Sequence, residues 1–276
     1  YTKAISLKPD YIEAYYNMGI ALKDCKKLDK AKKAYEKAIS IKPDYAEAYS
    51  NMGIILQEQG RLQEALNTYK KLLSLKPEYA KTYTNMGIVL QEQCKSEQAI
   101  KAYKKALLLN PRDPDANYNM GVALQKQDKL EEAIKSYDKA ILSKPNYAEA
   151  FYNKSIVLKD QGKLEESIEA CKKATFLKPD YAEAYNNLGN ILVEQGKLKE
   201  AIKSFDKALT LKPNYEDAYY NSSFAYNLNG DLVKGLELYE WRLKNKDRRI
   251  KTSKQNFILK KSKSLNGKKI LIYEEQ

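Results

Sequence analysis

The side chains that most often carry out catalysis are missing or scattered in this sequence. None of the 276 residues is a histidine, which removes the commonest general base and the commonest metal ligand. The three cysteines, Cys25, Cys94 and Cys171, lie 69 and 77 residues apart, far from the paired spacing of a zinc site. We therefore expect no catalytic centre, no metal and no cofactor in this chain. Unpaired cysteines are typical of a reducing, cytoplasmic location.

Asparagines recur at one fixed interval and could take part in molecular recognition. Seven of them lie 34 residues apart: Asn17, Asn51, Asn85, Asn119, Asn153, Asn187 and Asn221. A carboxamide has two N–H donors and an acceptor oxygen, so it can pair with the peptide group of another chain. Because asparagine is a mediocre helix former at an exposed site, an unbroken column of this kind needs a reason.

Prolines share this period and indicate which elements carry the asparagines. Seven of the eight prolines recur every 34 residues: Pro9, Pro43, Pro77, Pro111, Pro145, Pro179 and Pro213. We number each unit so that this proline is position 32. Small residues then recur at positions 8 and 20 and large rings at positions 4 and 24, the spacing of two amphipathic helices. Glycine at position 15 can take the positive φ that ends the first helix, and proline ends the second. Each unit is predicted to be a helical hairpin.

These positions resemble the tetratricopeptide repeat family: aromatic Tyr15 at position 4, Gly19 at 8, Ala31 at 20, Tyr35 at 24 and Pro43 at 32. The resemblance implies an all-α fold, a right-handed superhelical solenoid of stacked helical hairpins, with a concave groove lined by the first helices. The units would be residues 12–45, 46–79, 80–113, 114–147, 148–181, 182–215 and a degenerate, capping unit 216–249. Residues 1–11 would end a truncated preceding unit.

On each first helix, positions 2, 5, 6, 9, 12 and 13 lie opposite the apolar stripe, and the family places them in the groove. The predicted peptide-binding residues are the seven asparagines together with Tyr118, Tyr152, Glu47, Asp115 and Glu149. Two explanations of the asparagine column stay open. The side chains contact the backbone of a bound extended peptide, as in the similar superhelix of O-linked N-acetylglucosamine transferases, or they bond neighbouring units to each other.

The net charge of +13 is unevenly distributed along the chain. Residues 241–276 hold 12 Lys and Arg against 3 Asp and Glu, which leaves only +4 for residues 1–240. Groove positions 2, 12 and 13 hold eleven acidic residues against four lysines, a net charge of −7 that would repel nucleic-acid phosphates. Lysines at positions 16, 26 and 31 are assigned to a solvated face. We expect a neutral or basic peptide or protein partner, no membrane, and no nucleic acid.

The end of the chain departs from the repeat. Segment 250–276 reads as a basic connector and the start of a truncated following domain, with a strand predicted at Lys269–Tyr273. Together with Tyr239, Trp241 and Arg242 it resembles the junction of bacterial repeat proteins with a glycosyltransferase-like domain. Three functions therefore remain open. They are a protein-binding scaffold, the substrate-recognition arm of a larger glycosyltransferase with its catalytic domain beyond residue 276, and a repeat protein that self-associates through its exposed terminal repeat.

Overall fold

The structure, a computed structural model, describes residues 1–241, and these form fifteen α-helices. A short helix α1, Thr2–Leu7, comes first, and seven hairpins follow. Their first helices are α2 Ile12–Asp24, α4 Ala46–Glu58, α6 Ala80–Glu92, α8 Pro114–Gln125, α10 Ala148–Asp160, α12 Ala182–Glu194 and α14 Glu216–Leu228. Their second helices are α3 Leu28–Ile41, α5 Leu62–Leu75, α7 Ser96–Leu109, α9 Leu130–Ser143, α11 Leu164–Leu177, α13 Leu198–Leu211 and α15 Leu232–Glu240.

The hairpins stack in chain order. Each first helix packs on its own second helix, each second helix packs on the next hairpin, and consecutive first helices also touch. The predicted fold class, an all-α solenoid of stacked hairpins, is confirmed. No helix within residues 1–241 has the length and apolar character needed to cross a bilayer. The strand predicted at Lys269–Tyr273 and the basic connector lie outside the described residues.

Within a hairpin, the two helices approach closely where a glycine at position 8 faces a ring at position 24. A Cβ atom added to Gly121 would lie 2.6 Å from the Tyr137 ring, well inside van der Waals contact. The fifth unit exchanges the two sizes, because Ser155 replaces the glycine and the small Cys171 replaces the ring. A small residue therefore stands at one of the two positions in these units.

The connection between the two helices of a hairpin has the same geometry in all seven units. The N–H groups of positions 15 and 16 donate to carbonyls of the last turn of the first helix, for example Gly60 to Gln57 at 2.8 Å and Arg61 to Leu56 at 2.8 Å. This is a Schellman motif, which requires a left-handed residue at position 15. The four glycines there have φ between 71° and 89°, as predicted. Three other residues adopt the same conformation with φ of 58° or 59°, namely Lys26, Cys94 and Asp128.

Candidate functional site

Tyrosines form a cluster on the groove side of the fourth and fifth hairpins. The rings of Tyr118 and Tyr147 lie 4.9 Å apart, and the rings of Tyr152 and Tyr181 are also 4.9 Å apart. Each pair joins position 5 of a first helix to the tyrosine at position 34, which immediately precedes the next first helix. All four side chains are half-buried. The stacking of hairpins therefore places two tyrosine pairs on adjacent units, and we call these four side chains the tyrosine cluster.

Lysines also pack against the position-34 rings. The Lys144 ammonium lies 4.1 Å from the centre of the Tyr147 ring, and Lys178 lies 4.5 Å from that of Tyr181. Cation–π contacts of this kind are worth about 0.5–1 kcal/mol at exposed sites. The rings are consequently held in place before any ligand arrives.

The asparagine column stands at the joints between hairpins. The Asn51 amide donates to the hydroxyl of Tyr16 at 3.1 Å, and the Asn153 amide donates to the hydroxyl of Tyr118 at 2.9 Å. In both cases position 6 of one hairpin reaches position 5 of the hairpin before it. At the last joint, Asn221 donates to Asn186 Oδ1 at 3.1 Å. These three amides, and that of Asn187 described next, bond neighbouring units, so four of the seven follow the second of the two explanations left open by the sequence.

The remaining asparagines differ from one another. Asn119 donates to its own helix at the carbonyl of Asp115, 2.8 Å away, and Asn187 donates to Ser155 Oγ at 3.0 Å. Asn17 is exposed, whereas Asn85 is buried and its Nδ2 finds no partner. Position 5 of the preceding hairpin explains the missing partner, because it is Ser50 there and its short side chain offers no ring hydroxyl to the amide.

The carboxamide oxygens remain available for a ligand. Within the described residues, Oδ1 of neither Asn51 nor Asn153 takes part in a hydrogen bond, and neither is among the buried unpaired atoms. Both are therefore open to solvent. An oxygen of this kind accepts a hydrogen bond from a peptide N–H, so the column can offer acceptors even where its donors are engaged.

The groove carboxylates are paired with lysines that sequence reasoning assigned to another surface. Lys178 at position 31 lies 3.1 Å from Glu149, and Lys76, also at position 31, lies 3.7 Å from Glu47. Asp115 is bonded at 2.9 Å by Lys81 of the preceding first helix. The helix bounds explain the first two pairs, since position 31 lies just past the second helix and faces the start of the first helix of the same unit. Position 2 is therefore less negative than its sequence suggests.

Protonation of the site follows from these contacts. Burial raises the pKa of Tyr118, and burial together with the nearby Tyr215 raises that of Tyr152 to about 12, so both phenols stay neutral donors at physiological pH. Burial also acts to raise the pKa of Glu149, but hydrogen bonds from its own backbone N–H and from Lys178 outweigh it and leave that pKa below its ordinary value. The site combines neutral hydroxyls with a stably ionised carboxylate.

The structure brings together the predicted residues of the central hairpins and separates the others. Tyr118 and Tyr152 belong to the tyrosine cluster, and Asp115, Glu149 and Asn153 lie beside it. Asn17 and Glu47 belong to the first two hairpins and lie away from it. The predicted binding residues did not include the tyrosines of position 34. The available signal was their recurrence directly before six of the seven first helices, with Asp113 as the exception before α8.

The described residues offer a small hollow but no cluster of metal-ligating side chains. Within residues 1–241, no group of three or more Cys, Asp or Glu side chains is arranged to hold a metal ion. A hollow between α6 and α7, lined in part by Tyr83, Leu90 and Lys105, has a volume of about 210 Å³. Pockets for small ligands usually measure about 300–1,000 Å³.

Family models match most of the described chain. Models described as "Tetratricopeptide repeat" match residues 10–78, 44–109, 114–147 and 182–215, and a model described as "TPR repeat" matches residues 95–128 and 156–195. No curated protein matches the sequence.

Solved structures with the same architecture include both peptide-binding and assembly proteins. YrrB, described as a TPR protein with an unusual peptide-binding site, is 26% identical with a TM-score of 0.57, and the match covers 67% of this chain and 95% of that one. MamA of Desulfovibrio magneticus is 26% identical with a TM-score of 0.57, covering 62% and 96%. A chain of the APC/C heterotetramer Cut9–Hcn1 has a TM-score of 0.69 at 17% identity, covering 81% of this chain but only 44% of its own length, so it supports the fold alone.

Proposed function

This chain belongs to the tetratricopeptide repeat family, and on that premise we propose that it binds an extended peptide or protein segment along its first helices, centred on the tyrosine cluster. The repeats indicate a protein-interaction scaffold, and the fold supports a non-catalytic role. The peptide-binding site described for YrrB adds support, since that protein shares the hairpin architecture and about a quarter of the sequence.

The tyrosine cluster with its neighbouring polar atoms carries this proposal. Half-buried rings that are already packed lose little entropy when a ligand covers them, and tyrosine is enriched where proteins recognise one another. First helices stacked at about 8–10 Å would meet roughly every third residue of a peptide that advances about 3.3 Å per residue. At each such step an asparagine Oδ1 can accept a hydrogen bond from a peptide N–H. The asparagines would then bind the backbone of the peptide, and the tyrosine rings would discriminate among its side chains.

We propose that the partner is neutral or basic. The pairing of Glu149 with Lys178 weakens the negative charge at position 2. At position 13, Glu58 and Asp160 remain exposed on the same helices. Residual acidity in the groove favours lysine or arginine near the bound segment and disfavours phosphate groups.

A selection from a library of random peptides tests the proposal. The binding variant replaces Tyr118, Tyr152 and Asn153 by alanine, and the control replaces Lys37, Lys71 and Lys207, three exposed lysines of the second helices, by alanine. Peptides selected on the natural chain should bind the first variant at least about tenfold more weakly, as expected for loss of interface anchors, and the control equally well. Far-UV circular dichroism should show the same helix content in all three proteins. Equal affinity for natural chain and binding variant would refute the site.

Two other functions from the sequence remain proposals. A substrate-recognition role in a larger glycosyltransferase rests on the segment after Asn245, outside the described residues, and would require glycosyl transfer to a groove-bound peptide by the complete protein. Self-association would use the exposed start of the stack, where Tyr11 and Leu7 are accessible. A concentration-independent monomer mass in light scattering would eliminate it.

A further inference from the structure

Three large apolar side chains are exposed at the same position of consecutive hairpins. All three lie on second helices. Position 29 is Leu108, Leu142 and Phe176 in the third, fourth and fifth units, with exposures of 83%, 83% and 76%. This position lies about 180° around the helix from the buried position 20, so packing of the solenoid does not require an apolar residue there. Single exposed apolar residues are ordinary, but an aligned row on adjacent elements marks an interaction surface. We call this row the outer stripe.

The outer stripe has sharp ends. At the same position, the units before it have Ser40 and Ser74, and the unit after it has Thr210. Each of these hydroxyls donates to a carbonyl of its own helix, at 2.8, 2.7 and 2.7 Å. A hydroxyl that bonds to its own helix needs no further partner, so serine or threonine suits this exposed position. Only the third, fourth and fifth of the six described units with this position have an apolar side chain there in place of the hydroxyl.

Lysines border the outer stripe. The residues three and four positions before each apolar side chain share its exposed helix surface. They are Lys104, Lys105, Asp138, Lys139, Lys172 and Lys173, all exposed. The single aspartate is already engaged, since Asp138 Oδ1 lies 2.6 Å from the Lys154 ammonium. The border is therefore strongly positive around an apolar centre.

We propose that the outer stripe binds an acidic amphipathic helix of a partner protein. Neighbouring second helices stacked at about 8–10 Å match the rise of about 10.5 Å over seven helical residues. Apolar residues at i, i+7 and i+14 of a helix laid across the stack would meet the three side chains in turn. Acidic residues beside them would meet the lysines. A second copy of this chain is a poor occupant, because two identical lysine borders repel each other.

A designed peptide tests this binding mode with the complete chain. The probe is a fluorescent helix of about 18 residues, with leucine at i, i+7 and i+14 and glutamate on both flanks; its control is a scrambled peptide of the same composition. The binding variant is Leu108→Ser with Leu142→Ser and Phe176→Ser, which copies the neighbouring units. The matched variant Ser74→Leu lengthens the stripe. Fluorescence anisotropy measures affinity, and vesicles with and without phosphatidylserine are tested in parallel.

We expect the designed helix to bind the natural chain with an affinity that falls as salt rises, and the scrambled peptide to bind weakly. The triple variant should lose at least about tenfold in affinity, whereas Ser74→Leu should gain a few-fold, because each apolar contact contributes separately. The groove variant at Tyr118, Tyr152 and Asn153 should bind the helix normally, which separates this surface from the groove. The proposal is overturned if the designed helix does not bind, if the triple variant binds it equally well, or if the stripe residues control vesicle binding or dimer formation instead.

Discussion

Pairs of side chains, and not single residues, set the geometry inside each hairpin. In the first four units a tyrosine at position 24 faces a glycine at position 8, and in the fifth, where position 24 shrinks to Cys171, Ser155 stands at position 8. The serine then bonds further, since its Oγ donates to the carbonyl of Tyr152 at 2.7 Å and accepts from Asn187 at 3.0 Å. The size of one residue therefore decides which polar groups face the next hairpin.

We expect Gly121→Ala to destabilise the protein by about 1–3 kcal/mol, the usual cost of an added methyl group in a packed interior. The new Cβ would collide with the buried Tyr137 ring, which cannot move without displacing the helix behind it. Urea denaturation followed by circular dichroism measures the change. Ser40→Ala, on an exposed helix surface, serves as control and should alter the midpoint little. A Gly121→Ala protein with the natural midpoint would contradict the packing.

Thiol reactivity should separate Cys171 from the other two cysteines. Cys25 and Cys94 are exposed, whereas burial raises the pKa of Cys171 to about 11. At pH 8, a thiol reagent should modify two cysteines in the native protein and all three in denaturant. Since the ordinary pKa of a thiol is about 8.5, the stability contributed by this protonated thiol is complete below pH about 8.5 and is lost as the pH rises toward 11. Rapid modification of Cys171 in native protein would refute its burial.

The sequence predicts the asparagine column but not which partners the amide nitrogen and the amide oxygen of each side chain contact. Periodicity places Asn153 on the exposed side of a first helix, and the structure finds it there, half-buried. The partner of its amide, Tyr118, lies 35 residues earlier. At the next joint Asn187 donates to Ser155 although a tyrosine, Tyr152, again precedes it at position 5, so the partner of each amide is set only when the hairpins stack.

Capping residues determine where each helix of the stack begins and ends. The fourth unit shows how an end adapts, because Asp113 replaces the position-34 tyrosine and caps α8 by accepting from the N–H groups of Asp115 and Ala116. The buried Asn117 replaces the usual ring and donates to the carbonyl of Asp113 at 2.9 Å. A polar cap thus takes the place of an aromatic contact. The sequence shows an asparagine at this ring position, but the compensation needs both residues in three dimensions.

We expect Cys94→Gly to stabilise the protein by about 1 kcal/mol, since a left-handed conformation costs a non-glycine residue roughly 1–2 kcal/mol. Cys94 has φ of 59° at the Schellman position of the third hairpin. The reverse change, Gly196→Ala, introduces the same strain in the sixth hairpin, where φ is 74°, and should destabilise by a similar amount. Thermal and urea unfolding measure both. Equal stability of the two variants would contradict the shared turn geometry.

At the scale of the whole molecule, stability should be distributed as in other stacked arrays, with each hairpin supported by its neighbours. One buried cluster extends without a break from Leu56 in the second hairpin to Val157 in the fifth. The tyrosine cluster and the outer stripe both lie within the third to fifth hairpins, the first along the first helices and the second on the second helices. The most continuous part of the core thus supports both proposed binding surfaces. The sequence predicted the array, whereas the lysines that reach the groove carboxylates became apparent only from the stacked geometry.

Removing residues 1–11 should change the free energy of unfolding by less than about 0.5 kcal/mol, the range of surface changes that create no cavity. Helix α1 has six residues and none of them is buried. Urea denaturation of the shortened chain checks this, with the natural chain as reference. A large drop in midpoint would show that α1 supports the first hairpin after all.

Site-specific photo-crosslinking tests the central claim most directly. A benzophenone amino acid is placed at Tyr152 in the tyrosine cluster or, as control, at Lys37, an exposed residue of a second helix remote from the outer stripe. In the presence of a peptide selected on the natural chain, irradiation should give one crosslinked product from position 152 and none from position 37. An equal yield from the two positions, or a product from position 37 alone, would contradict peptide binding along the first helices.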